Sequence, residues 1–236
     1  MHVPVPAAAK KELDTYAGRI MHEVEHSNSG TRDESWSDPT SGSRRQIERD
    51  NLGRITMEFA TTTRGRIERT ASVFYDGRTW ISDQHRLPFQ PRPVVNEAAG
   101  LAQSYRDKVA NGTATLVGRQ VINGREALHV HENLRFPPTP APKLFGLPSG
   151  VRPPVAPPLR IDTWVDPFTY LPLRTRTGSG THWSQTDTTW LPRAPANIAK
   201  TKLMVPAGFK HIVPNQGSGM AFSSGSVTPR STRCQS

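Results

Sequence analysis

Cysteine is nearly absent from this chain of 236 residues, since its one thiol is Cys234, near the C-terminus. A lone cysteine excludes an intrachain disulfide and a cysteine-based metal site. Hydrophobic residues are scarce at 34%, against about 45 to 50% in ordinary soluble domains. No run approaches the roughly 18 apolar residues of a membrane span, and Met1 to Ala9 lacks the charged start and apolar run of a signal peptide. These absences predict a modest core.

Acidic residues are fewer than basic residues. The chain has 20 Asp and Glu against 30 Lys and Arg, a net charge of +10 and a pI near 10.3. Such an excess suits an anionic partner, and an anionic membrane surface is one candidate. A basic nucleic-acid-binding protein is an alternative, but neither predicted helix is strongly basic and the aromatic residues lie on different predicted elements, so no specific nucleic acid is expected.

Apolar residues recur at helical spacing from Ala7 to Ser27, which predicts an amphipathic N-terminal helix. A second helix is predicted from Val95 to Ala110. β-rich runs fill much of the remaining sequence, and turns at Asp76-Gly77 and Asn123-Gly124 favour antiparallel hairpins. The predicted strands are 44–48, 55–61, 67–75, 79–82, 115–122, 126–131, 159–165, 171–177, 184–191 and 202–205. The fold class expected is therefore mainly β (α+β), with two helices.

The domain prediction is one folded unit over residues 7–213, after a short N-terminal segment at 1–6. Residues 28–43 are interpreted as a loop with at most one short strand. A proline-rich insertion at 137–158 is expected outside the sheet, because proline cannot donate to a strand ladder. Residues 214–236 have the Gly/Ser/Thr composition of a disordered tail.

One hairpin carries a family resemblance. The sequence Trp164-Val165-Asp166-Pro167, followed by Tyr170-Leu171-Pro172-Leu173-Arg174, resembles a motif of the lipoprotein-carrier (LolA/LolB-like) superfamily, which includes RseB-like regulators. Segments 190–197 and 205–209 look like uncharacterised actinobacterial members of that group. The resemblance implies a strongly curved antiparallel sheet, or incomplete barrel, covered by helices. It also implies an extracytoplasmic or membrane-associated place of action.

The resemblance further implies a cleft for a hydrophobic or amphipathic ligand, such as a lipid or lipoprotein acyl chain, or a role in relaying an envelope signal to a protein partner. No catalytic residue and no cofactor is expected. Apolar side chains on one sheet face would form the cleft, although for any one of them a place in the protein's own core is the favoured interpretation. The candidates on alternating strand positions are Ile55, Met57, Phe59, Val73, Tyr75 and Trp164.

The main enzyme alternative is a zinc-dependent metallopeptidase. His22-Glu23-Val24-Glu25-His26 is an H-E-x-x-H string, and on a helix both histidines could bind one zinc with Glu23 as general base. The helical apolar stripe lies opposite them, so we expect these histidines to face solvent rather than a dry cavity. No zinc site is expected here.

A second histidine pair, His129 and His131, lies two residues apart on a predicted strand, so both side chains point to one face. With Glu132 nearby they could form a weak metal site or a pH-sensitive patch. Exposed cross-strand pairing is the favoured explanation.

Overall fold

The computed structural model describes residues 4–90, 96–134 and 158–213, and within these ranges it contains three helices and twelve strands. The helices are α1 (Ala7–Asp14), α2 (Glu97–Ala110) and α3 (Pro195–Lys200). The strands are β1 (Ile20–Ser27), β2 (Arg32–Asp38), β3 (Ser43–Arg49), β4 (Ile55–Arg64), β5 (Ile67–Phe74), β6 (Thr79–Arg86), β7 (Thr115–Ile122), β8 (Arg125–Leu134), β9 (Leu159–Val165), β10 (Pro172–Ser179), β11 (His182–Leu191) and β12 (Lys210–His211).

All twelve strands form one sheet, in the order β12-β6-β5-β4-β3-β2-β1-β11-β10-β9-β8-β7. Every pairing is antiparallel except the two-residue pairing of β12 with β6. The sheet is curved and does not close, so β12 and β7 are its edges. The predicted fold class, a curved antiparallel sheet with an N-terminal helix and a second covering helix, is confirmed.

The register defines two sides of the sheet. Across β2 to β5, one row of directly opposed residues is Glu34, Ile47, Glu58 and Val73, and the neighbouring row is Asp33, Glu48, Met57 and Phe74. Directly opposed residues share a face, and successive residues of a strand alternate between faces. We call the side of the first row the strap side, because residues 195–213 cross it, and the side of the second row the helix side, because α1 and α2 pack on it.

Helices α1 and α2 pack on the helix side, over β8 to β11. Leu13 of α1 is buried with Ala98 and Ala102 of α2 and with Leu171. Further along α2, partly buried side chains pack against a cluster that includes Val130 and Val165. These two clusters form the core beneath the two helices.

On the strap side, residues 195–213 cross the other half of the sheet, and we call this segment the strap. Its helix α3 contributes Ile198, which packs against the buried cluster of Ile20, Trp36 and Ile47. The strap then runs without regular structure to β12. The sheet is thus covered on opposite sides in its two halves.

The predicted N-terminal helix was wrong beyond Asp14. The chain turns at Gly18, which has a φ of +71°, a left-handed conformation that glycine adopts readily. Ile20 to Ser27 then form β1, because hydrogen bonds to β2 and β11 on both sides outweigh helical preference. The strand predicted at 202–205 was also wrong, since those residues belong to the irregular part of the strap.

The Asp-Pro hairpin is a turn held by its own side chains. Asp166 Oδ1 accepts hydrogen bonds from the backbone N–H groups of Phe168 and Thr169 and from the Thr169 hydroxyl. Tyr170 adopts a φ of +63°, and Leu171 is buried beneath α1 and α2. The motif therefore stabilises a turn.

The predicted insertion at 137–158, apart from Pro158, and the predicted tail at 214–236 lie outside the described residues.

Candidate functional site

A cavity of about 800 Å³ lies between the strap and strands β4, β5 and β6. Ligand sites in proteins commonly have volumes of about 300–1,000 Å³. Residues of the sheet that line it include Ala60, Thr62, Arg69, Ala71, Ser82, Asp83 and Gln84, and residues of the strap that line it are Thr201, Lys202, Leu203 and Val213.

Small side chains on three adjacent strands account for the space. Ala60 of β4 lies directly opposite Ala71 of β5, which lies opposite Ser82 of β6. All three point to the strap side, where larger side chains would fill the gap to the strap. The floor of the cavity therefore consists of short and mostly apolar side chains.

The strap is fixed before it crosses this floor. Arg193, just before α3, donates from Nε to both carboxylate oxygens of Asp38 at 3.3 and 3.2 Å. Asp38 is fully buried and also accepts from the Ser41 hydroxyl. Burial alone would raise the pKa of Asp38, but its hydrogen bonds to Ser41 and Arg193 outweigh burial and lower that pKa. An ionised carboxylate thus holds the start of the strap.

A second anchor lies at the far end of the strap. The backbone N–H of Lys210 donates to the Arg78 carbonyl at 2.9 Å. The His211 ring stacks on Trp80 with centroids 4.0 Å apart, and Phe209 meets the edge of Tyr75 at 5.4 Å. Because the strap is held at both ends, its middle bridges the small side chains below.

A buried ion cluster lies beside the cavity on the same side. Glu58 is 3% exposed, and one of its oxygens accepts from Arg45 Nε at 3.0 Å and Nη2 at 2.6 Å. Its other oxygen accepts from the Tyr75 hydroxyl. Burial and this hydrogen bond raise the pKa of Tyr75 to about 12. The cluster joins β3, β4 and the chain after β5, and so stiffens the sheet under the second anchor.

Polar groups are concentrated among the lining residues of β5, β6 and the strap. Arg69 donates to the Gln84 side chain at 2.8 Å. Lys202 of the strap also lines the cavity, whereas the Asp83 side chain points to the helix side of the sheet. A molecule with an apolar chain and a charged or polar end matches this combination of alanine floor and charged lining.

The structure divides the six residues that the sequence placed in one cleft. Val73, Tyr75 and Trp164 lie on the strap side, whereas Met57 and Phe59 lie on the helix side. The reason is register: Met57 opposes Phe74, so odd positions of β4 share a face with even positions of β5.

Ile55 also departs from simple alternation. A bulge next to Arg49 shifts the register, and Ile55 packs against the buried cluster that contains Ile47. The residues that line the cavity include none of the six predicted candidates. Sequence reasoning missed the cavity because a floor of alanine and serine gives no apolar signal.

The H-E-x-x-H string lies on strand β1 rather than on a helix. Four residues of a strand span about 13 Å, too far for His22 and His26 to share one zinc ion at about 2 Å each. Glu23 points to the opposite side of the sheet from both. His22 instead stacks on Trp36 at 5.1 Å and bonds Glu34 at 3.0 Å. This geometry overturns the metallopeptidase alternative.

The second histidine pair converges on one carboxylate. His129 Nε2 and His131 Nδ1 lie 2.9 and 2.7 Å from Asp162 Oδ1 of the neighbouring strand. Trp164 stacks on His129 at 4.8 Å. Burial would raise the pKa of Asp162, but the hydrogen bonds from His131 and His129 outweigh it and lower that pKa. The arrangement is cross-strand pairing, and no cluster of three potential metal ligands occurs in the described parts of the chain.

No protein-family model and no curated protein matches this chain. Solved structures do resemble it. An uncharacterised conserved protein of Thermus thermophilus is 7% identical, with a TM-score of 0.44 over 87% of this chain and 97% of that one. The Mycobacterium tuberculosis lipoprotein LppX is 11% identical, with a TM-score of 0.40 over 84% and 95%.

A putative outer membrane lipoprotein-sorting protein domain from Vibrio parahaemolyticus is 9% identical, with a TM-score of 0.29 over 83% of this chain and 97% of that one. A lipoprotein and a putative lipoprotein-sorting domain are thus among the solved structures that this chain resembles.

Proposed function

We propose that this protein is a non-enzymatic binding protein whose cavity beneath the strap holds the acyl chain of a hydrophobic or amphipathic molecule. The observation that carries the proposal is the cavity of about 800 Å³ over the floor of Ala60, Ala71 and Ser82. Each methylene group that a ligand buries there contributes about 0.8 kcal/mol. A chain of several carbons therefore suffices for binding.

The charged residues that line the cavity suggest the other end of the ligand. Arg69 and Lys202 line the cavity and provide two cations. An anionic head group such as a carboxylate would meet a net positive charge there, and the chain as a whole carries +10. A long-chain fatty acid is accordingly the first ligand to test.

The resemblance of the Asp-Pro hairpin to lipoprotein carriers supports a place of action outside the cytoplasm or at a membrane surface. Among the helices that the structure describes, none has the length and hydropathy needed to cross a bilayer. Fractionation of cells that express the full protein would test the location.

The binding experiment uses hexadecanoic acid to displace the fluorescent anionic probe 1-anilinonaphthalene-8-sulfonate. Saturable 1:1 displacement is expected for the wild-type chain. Ala71→Leu adds three carbons to the floor and displaces about that many carbons of ligand, about 2.4 kcal/mol, so affinity should fall on the order of fiftyfold. Folding should persist, because the added side chain fills existing space.

Ser72→Leu is the matched control, since it adds the same kind of side chain to the same strand on the helix side. It should leave fatty-acid affinity within about twofold of wild type. Equal affinity of the Ala71 variant and wild type, or an equal loss in both variants, would contradict binding beneath the strap. Native mass spectrometry with lipid extraction would then identify any acyl ligand that copurifies.

A further inference from the structure

A second surface lies on the opposite side of the same strands. Four half-buried apolar side chains project from the helix side of β4, β5 and β6, and they belong to none of the three buried clusters. Met57 opposes Phe74, and Phe59 and Ile81 both oppose Ser72. The four therefore form one continuous apolar patch. Neither α1 nor α2 packs on it in the described structure.

Carboxylates continue the same rows toward the middle of the sheet. Glu25 of β1 opposes Asp33 of β2, which opposes Glu48 of β3, and Glu48 in turn opposes Met57. In the next row Glu23 opposes Ser35. The first of these rows thus passes from acidic to apolar across five adjacent strands, about 19 Å at the usual strand spacing.

The carboxylates are incompletely neutralised. Burial raises the pKa values of Glu23, Asp33 and Glu48 above their usual range, and the nearby carboxylate Asp33 adds to the effect on Glu48. Arg44 offsets part of the charge at Glu23. A local excess of negative charge on a chain with a net charge of +10 points to a positively charged partner at this surface.

The shape favours a polypeptide over a small molecule. The recess at the acidic end measures about 220 Å³, below the usual volume of small-molecule sites. An extended segment of about six residues would instead span the length of the rows. We propose that this surface docks a segment of a partner protein that presents lysine or arginine next to apolar side chains.

The test uses a labelled peptide of the sequence Lys-Ser-Lys-Ser-Leu-Ser-Leu and fluorescence anisotropy. The peptide should bind saturably, and it should bind at least tenfold more weakly when its lysines are replaced by glutamates. Binding should also weaken as salt concentration rises. Equal binding of the two peptides would overturn the proposal.

The protein variant Asp33→Asn/Glu48→Gln should bind the lysine peptide at least tenfold more weakly. It should fold normally, because the change removes repulsion between opposed carboxylates. The charge-matched control Glu12→Gln/Glu126→Gln alters exposed residues away from the surface and should bind within twofold of wild type. Unchanged binding by the first variant would refute docking at the carboxylates.

Ala71→Leu should leave peptide affinity unchanged, since its side chain points to the strap side. The peptide result is therefore independent of whether a fatty acid binds in the cavity. Binding of dodecylamine without any binding of the peptide would assign the surface to a small cationic amphiphile and overturn the proposal of a protein partner.

Discussion

Replacement of Glu58 by glutamine tests the ion cluster beside the cavity. The substitution keeps the shape of the side chain but leaves the Arg45 guanidinium without its carboxylate. Loss of one partner of a buried ion pair costs about 3–5 kcal/mol. The Arg45 side chain is 18% exposed and keeps some contact with water, so we expect a loss of about 3 kcal/mol in the free energy of unfolding, measured by urea denaturation.

A double-mutant cycle isolates the interaction. Arg45→Met/Glu58→Met removes both charges and fills similar volume, so it should cost only about 1–2 kcal/mol, which is the loss of the acceptor of the Tyr75 hydroxyl. Each single substitution should cost about 3 kcal/mol, which gives a coupling energy of several kcal/mol. Additive costs in the double variant would refute the assignment of Arg45 and Glu58 as a mutually dependent pair.

Alkaline pH provides a second readout of the same cluster. The pKa of Tyr75 is raised from 10.0 to about 12 in the folded protein, so the native state holds this proton more tightly than the unfolded state does. The stability from this group is complete below pH 10 and is lost as pH rises toward 12. Tyr75→Phe should flatten the fall in unfolding midpoint over that range, and an identical fall in wild type and variant would refute the shift.

Three further predictions concern the histidine and tryptophan contacts on the strap side. Trp164→Ala should lower the free energy of unfolding, measured by urea denaturation, by about 1–2 kcal/mol, because its stacked ring is half-buried. A loss above about 3 kcal/mol, which is typical of a core aromatic residue, would contradict this placement. His22→Ala should cost about 1 kcal/mol through its stacking and hydrogen bond, whereas the exposed His26→Ala should leave the melting temperature unchanged. The pKa of Asp162 is lowered from 3.8, so its contribution is present above that pH and lost as pH falls further. Asp162→Asn should therefore weaken the fall of the urea midpoint as pH drops below about 4.

Most strands were predictable from local pattern, and the hairpins show why. Asn123 and Gly124 have φ values of +52° and +76°, as a two-residue hairpin turn requires. The N-terminal error arose because a spacing of four residues, as between Ile20 and Val24, belongs to one face of a helix and equally to one face of a strand. Apolar periodicity alone could not distinguish them.

The polar strands and the register of strand pairing could not be predicted from the sequence. Strand β2 carries Asp33, Ser35 and Ser37 toward the helix side, so it lacks the apolar alternation that marks a half-buried strand. The cavity likewise depends on which residues of β4 and β5 oppose each other, and on a strap whose anchors, such as Arg193 with Asp38, join distant parts of the chain. These features depend on contacts between distant parts of the chain, which no short stretch of sequence reveals.

The alternation of β4 and β5 has a consequence for how mutations would act. Even positions of β4, such as Glu58 and Ala60, belong to the cavity side, and odd positions, such as Met57 and Phe59, belong to the opposite surface. A deep mutational scan should accordingly give two interleaved profiles, one for each surface, with a period of two residues. Insertion of a single residue within β4 would exchange the two sets and disrupt both surfaces at once.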